Sequence, residues 1–224
     1  MRLAALVLAS TMVVTTAQAQ DADRSVADGG IKVDGWHGRI DRRPMGQGKT
    51  IADSKFTTAP DGFRLSVGPA GNFWNDAHVA SGDYEVKATF KEHQMASSHP
   101  HSYGIFIGGA DLESDTETLM YCIVYGTGEY SVKTFHGANV TTLVNRESHS
   151  ALNQADANGE STNEIGWRVQ GGEASCVVNG TVLKTFSRGE VVGSDKISST
   201  DGTYGIRVSH NLELTVTGLA MTNR

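Results

Sequence analysis

The sequence predicts an all-β protein, an antiparallel β-sandwich, and three observations carry that reading. Short apolar runs rich in β-branched and aromatic residues recur about every ten residues. Several of them alternate: Tyr84, Val86, Ala88 and Phe90 fall on one face of a strand, Glu85, Lys87, Thr89 and Lys91 on the other. Glycine, asparagine and aspartate punctuate the runs, and no segment sustains a helical period.

Residues 1–19 read as a secretory signal. Arg2 gives a positive start, 3–14 is apolar apart from Ser10 and Thr11, and Ala17-Gln18-Ala19 is an A-x-A cleavage site. The run is too short to span a bilayer, and no other stretch approaches about 18 apolar residues, so no membrane insertion is expected. No cysteine follows the apolar segment to take a lipid. The expected location is therefore periplasmic or extracellular. A polar leader, 20–30, precedes a single domain over 31–224. Its expected strands are 63–67, 73–74, 84–90, 103–107, 119–125, 130–135, 165–169, 175–178, 182–186, 204–208 and 212–219. Asn179-Gly180 between two of them calls for a hairpin with positive φ at both central residues. Gly126-Thr127-Gly128, Gly171-Gly172 and Asp201-Gly202 mark further turns. The polar stretch 137–162 is expected to hold a long loop or a short helix near 147–155.

Composition excludes several classes. The chain has 224 residues with 26 Gly and 4 Pro, which is neither collagen-like nor low-complexity. Its two cysteines cannot form a disulfide scaffold or a four-thiolate zinc site. Cys122 and Cys176 lie in apolar runs. Export permits a bond between them, buried free thiols are the other reading, and spacing does not decide. With 19 Lys plus Arg against 25 Asp plus Glu, and no basic run, the chain is not built to bind nucleic acid.

Residues 99–112 (HPHSYGIFIGGADL), 167–169 (WRV) followed by 177–180 (VVNG), and 201–208 (DGTYGIRV) with one more apolar strand after it stand in an order that resembles the concanavalin A-like (laminin-G-like) jelly-roll superfamily. The resemblance spans most of 31–224 and extends to uncharacterised exported bacterial proteins of that superfamily. It implies a jelly roll, and a superfamily that holds lectins, adhesion modules, glycoside hydrolases and lyases. The fold therefore does not choose a function.

The first functional reading is a secreted carbohydrate-binding domain without catalysis, with a glycan or polysaccharide as partner. Sugar C–H faces need flat aromatic surface, with polar side chains beside it for the hydroxyls. Trp74 with Asn75, and Trp36 in Trp36-His37-Gly38-Arg39, have that character, and His101, His210 and Asn211 are further candidate contacts. Core packing is the competing role for every aromatic. The second reading is a glycoside hydrolase. Glu113, Asp115 and Glu117 form an E-x-D-x-E pattern, which on a strand shares one face. It resembles the catalytic strand of the laminarinase/lichenase family, which implies Glu113 as nucleophile and Glu117 as acid/base with Asp115 between them. The intervening Ser114 and Thr116 depart from the apolar residues of that family, and a solvated connection after Gly108-Gly109 is the competing reading. A structural envelope or adhesion domain is the third. No metal site and no cofactor is expected from the residues. His93, His99 and His101 supply too few ligands for a strong site, and Gln154 stands where an EF-hand needs Asp. The fold resemblance implies a structural Ca²⁺ in some such domains, for which Asp76, Asp83, Asp111 and Asp201 are the loop carboxylates.

Overall fold

The computed structural model describes residues 21–96 and 99–224, so the expected signal sequence lies outside the described residues. Two sheets face each other. The first, in spatial order, is β10 (Asn139–Ser148), β9 (Glu129–His136), β8 (Thr118–Tyr125), β7 (Ser102–Ala110), β14 (Gly202–Val208), β5 (Gly71–Ala80) and β2 (Trp36–Ile40). The second is β1 (Gly30–Ile31), β3 (Lys55–Ala59), β4 (Gly62–Ser66), β15 (Glu213–Asn223), β6 (Tyr84–Glu92), β11 (Ser161–Gln170), β12 (Glu173–Val178) and β13 (Thr181–Ser187). Among these strands only the β1–β3 pair is parallel. The all-β sandwich expected from the sequence is thus the fold. The last two strands in the chain are interior in both sheets, β14 between β7 and β5, and β15 between β4 and β6.

Alternation decides which side chains meet between the sheets. Tyr84, Val86, Ala88 and Phe90 of β6, Tyr103, Ile105 and Ile107 of β7, and Tyr204, Ile206 and Val208 of β14 join one buried core. Trp167 lies fully within it and donates its indole N–H to the Ile105 carbonyl at 3.1 Å, which satisfies the one polar atom its burial would orphan. Cys122 on β8 and Cys176 on β12 form a disulfide across the sandwich, with Cα atoms 6.0 Å apart. Of the two readings open from the sequence, the bond is the one realised. The Asn179-Gly180 turn takes positive φ at both residues, as its hairpin requires.

Residues 139–148 depart from the expected loop or helix. They form β10, an edge strand whose side chains are almost all exposed, with register shifts on either side of Val144. A strand that buries only Val144, with Leu143 partly packed beside it, has little reason to alternate, so its sequence carries no period-two signal. The leader is docked on the body. Arg24 donates from its backbone to Asn211 Oδ1 at 2.9 Å and from its guanidinium to the carbonyls of Val67 and Leu212 and to Glu213. Gly68 accommodates this crossing, since a Cβ there would lie 2.4 Å from the Arg24 carbonyl oxygen.

Candidate functional site

The seven-stranded sheet carries a second buried cluster on its outward face: Trp74, Phe106, Leu112, Leu119, Tyr121, Ile123 and Phe135. The positions follow from the pleat. Phe73 points into the sandwich and so Trp74 points out; Ile206 points in and so Arg207 points out. Arg207 is the centre of this face. Its guanidinium makes a two-pronged pair with Asp41, at 2.6 and 2.7 Å, and donates to Asn72 Oδ1 at 3.2 Å. It also lies over the rings of Tyr121 and Phe135, about 5 Å from each centroid. Burial opposes its charge, but the Asp41 carboxylate overrides this and lifts its pKa above the ordinary arginine value.

Over part of the cluster lies the loop 111–117. β7 ends where Gly108 and Asp111 adopt positive φ, and β8 begins only at Thr118. Glu113, Asp115 and Glu117 therefore do not share a strand face; of the two readings of E-x-D-x-E, the solvated connection is the one realised. Glu113 and Asp115 stand on the exposed outer side of the loop, and Glu117 turns inward. Arg39 of β2 straps the loop down. It donates to the Ser114 carbonyl, pairs with Asp115 at 2.5 Å and reaches Glu117 Oε1 at 3.1 Å. Arg42 adds a bond to the Asp115 carbonyl. Glu117 is 3% exposed and its Oε2 has no partner. Burial raises its pKa, Arg39 opposes the rise, and the nearby Asp41 charge adds to it.

Beside this strap the imidazole of His37 stacks on Trp74, with centroids 5.9 Å apart and planes 22° from parallel. Its Nε2 lies 3.2 Å from Asp76 and its Nδ1 3.5 Å from Glu113. Asp76 also accepts from the Trp74 indole N–H at 3.2 Å. The group is a half-exposed ring backed by a buried indole and flanked by two carboxylates in water. Such a surface offers a flat face to a sugar ring and acceptors to its hydroxyls.

The other candidates named from the sequence fall elsewhere. Trp36 points into the sandwich, against Phe56, Phe63 and His78, with ring centroids 4.7 to 5.3 Å away, and is not on the outward face. Asn75 turns its side-chain oxygen back to the Ala77 backbone N–H at 2.9 Å. His101, His210 and Asn211 lie together where the leader docks, and Asn211 is bonded to it through Arg24 and Ala22. Of the loop carboxylates, Asp83 accepts from the Gly171 N–H and Asp201 from the Gly82 N–H, each serving a turn. The sequence alone does not single out Asp41, Asn72, Tyr121 and Arg207. Alternation along 204–208 is the available signal for Arg207. Its partner lies 166 residues away, and no local pattern announces that pairing.

No protein-family model matches the chain, and no curated protein matches it. Solved structures do match in fold. A carbohydrate-binding module, CBM66 from Bacillus subtilis, superposes with a TM-score of 0.57 at 8% identity, over 87% of this chain and 99% of that one. The GH16 protein of the Bacteroides ovatus mixed-linkage glucan locus, in complex with a G4G4G3G product, gives 0.52 at 9% identity, over 85% of each chain. An endo-β-1,3-glucanase from Pyrococcus furiosus gives 0.51 at 10%, over 84% of this chain and 87% of that one. All three are concanavalin A-like jelly rolls.

Proposed function

We propose, taking the concanavalin A-like jelly roll as premise, that this is an exported carbohydrate-binding protein that holds its glycan on the outward face of the seven-stranded sheet. The observation that carries the reading is the His37–Trp74 stack between Asp76 and Glu113. The buried indole fixes the plane of the exposed ring, so little side-chain freedom is lost when a sugar settles on it. Asp76 and Glu113 accept from hydroxyls, and the half-exposed guanidinium of Arg42 supplies donors at the rim. Among the described residues no helix is long and apolar enough to cross a membrane. A glycan array followed by calorimetry tests the proposal. One or more polysaccharides should bind, and His37→Ala should weaken binding at least tenfold while leaving the fold intact. No binding above background, or unchanged affinity in His37→Ala, refutes it.

A second reading, hydrolysis of a glycosidic bond, is favoured by one observation. Glu117 is a buried carboxyl on the same face whose Oε2 has no partner and whose pKa burial raises against the pull of Arg39. Reducing-sugar release from β-glucans that disappears in Glu117→Gln supports it; release that survives in Glu117→Gln, or no release at all, excludes it.

A further inference from the structure

His99 and His101 precede β7, His210 follows β14, and Asp23 belongs to the leader; the fold brings all four together. The ring centroids of His101 and His210 are 4.2 Å apart, those of His99 and His101 5.6 Å, and those of His99 and His210 6.4 Å. Three imidazoles on one tetrahedral ion, each nitrogen about 2.0–2.1 Å from the metal, place their centroids on the order of 5 Å apart. The three observed spacings bracket that value.

Two further features point to a ligand. His101 is 4% exposed and its Nε2 is buried without a partner. An orphaned imidazole nitrogen is costly to keep in a fold unless something occupies it. His210 Nδ1 lies 2.7 Å from Asp23 Oδ1, close enough for an ion pair though off the line of a good hydrogen bond. Once that contact is aligned as a hydrogen bond, the carboxylate fixes the tautomer and leaves the lone pair of the other nitrogen free, the usual support of a metal-bound histidine. The third feature is access. A cavity of about 490 Å³ opens beside the cluster, walled by Asp21, Asp23, Asp41, Lys49 and His210 among others. It reaches the cluster at His210 and so gives an ion a path to that ligand.

We propose that His99, His101 and His210 form a site for a borderline divalent transition ion, with Zn²⁺, Cu²⁺ and Ni²⁺ as the class, and that Asp23 orients His210 within it. Imidazole suits these ions, and neither Ca²⁺ nor Mg²⁺ takes such a ligand set. No three of the described His, Cys, Asp or Glu side chains yet converge on one point. Binding therefore includes a rotation of at least one ring, a movement we assign to His99, half-buried in the connection before β7. The leader joins the site only through Asp23, so the ion reaches the leader by way of His210.

The test is titration of the purified full chain with ZnCl₂, CuCl₂ and NiCl₂ by calorimetry, with the absorption of bound Co²⁺ reporting geometry. One ion per chain is expected, with a visible Co²⁺ spectrum of tetrahedral intensity. His210→Ala and His101→Ala should each weaken binding at least a hundredfold. Asp23→Asn should weaken it about 10- to 100-fold. His149→Gln, elsewhere on the surface, should leave it unchanged. If the buried His101→Ala fails to fold, His99→Ala, at the half-buried position, must show the loss instead. No stoichiometric binding of any of the ions, or binding that survives in His210→Ala, overturns the assignment.

Discussion

Replacing Glu92 by Gln should stabilise the protein at alkaline pH and do little at acid pH. Glu92 continues the core-facing side of β6 past Phe90, and is 1% exposed. Its Oε2 receives one long hydrogen bond, 3.4 Å from Ser161 Oγ, and its Oε1 none. Burial lifts its pKa from 4.5 to about 7. A carboxyl whose folded pKa exceeds its unfolded value stabilises fully only below the unfolded value. Between pH 4.5 and 7 the folded state holds a proton that the unfolded chain has released, so stability falls as pH rises through that window. The difference amounts to about 3 kcal/mol by pH 8. Glutamine has the shape of the protonated acid and carries no charge, so the variant should escape the loss. In a domain of this size about 3 kcal/mol is roughly 6–12 °C in Tm. Urea unfolding of both proteins from pH 4.5 to 8.5 reads the effect directly, as curves that coincide within about 1 kcal/mol at pH 4.5 and diverge towards pH 8. Parallel curves would show that the buried carboxyl is not what sets the slope.

The Asp41–Arg207 pair should respond unequally to loss of either partner. Asp41→Asn leaves a guanidinium 7% exposed, whereas Arg207→Met leaves a carboxylate that is 25% exposed and partly hydrated. The first should cost about 3–5 kcal/mol and the second less, measured by chemical denaturation; equal costs would mean the burial difference is immaterial. Removing the disulfide with Cys122→Ser and Cys176→Ser together should cost about 4 kcal/mol, from the 54-residue separation it closes. A reductant should lower the wild-type Tm and leave the double variant unmoved.

Strands that bury one face are legible because burial imposes alternation. That is why 84–90 and 204–208 can be located from the sequence, and why β10 cannot: exposed along nearly its whole length apart from Val144, it has little to alternate between. The site is legible only in part. Trp74 is placed outward by its neighbour Phe73, but Trp36, an equally flat platform, turns into the core because β2 presents His37 and Arg39 outward instead. The spacing of Glu113, Asp115 and Glu117 suggests a shared face. A positive φ at Asp111 makes it a loop, a backbone choice that carboxylate spacing does not encode. The proximity of the histidines near residue 100 to His210 is not legible in the sequence, because His210 arrives from the far end of the chain.

The interior places of β14 and β15 bear on the order in which the molecule can assemble. β5 and β7 have no edge in common without β14, nor have β4 and β6 without β15. Until residues 202–223 have been made, each sheet is two fragments with unpaired borders. These closing contacts span much of the chain, so they are slow to form and cannot begin early in synthesis. Residues 202–223 therefore act as a latch, setting both sheets at once when they arrive.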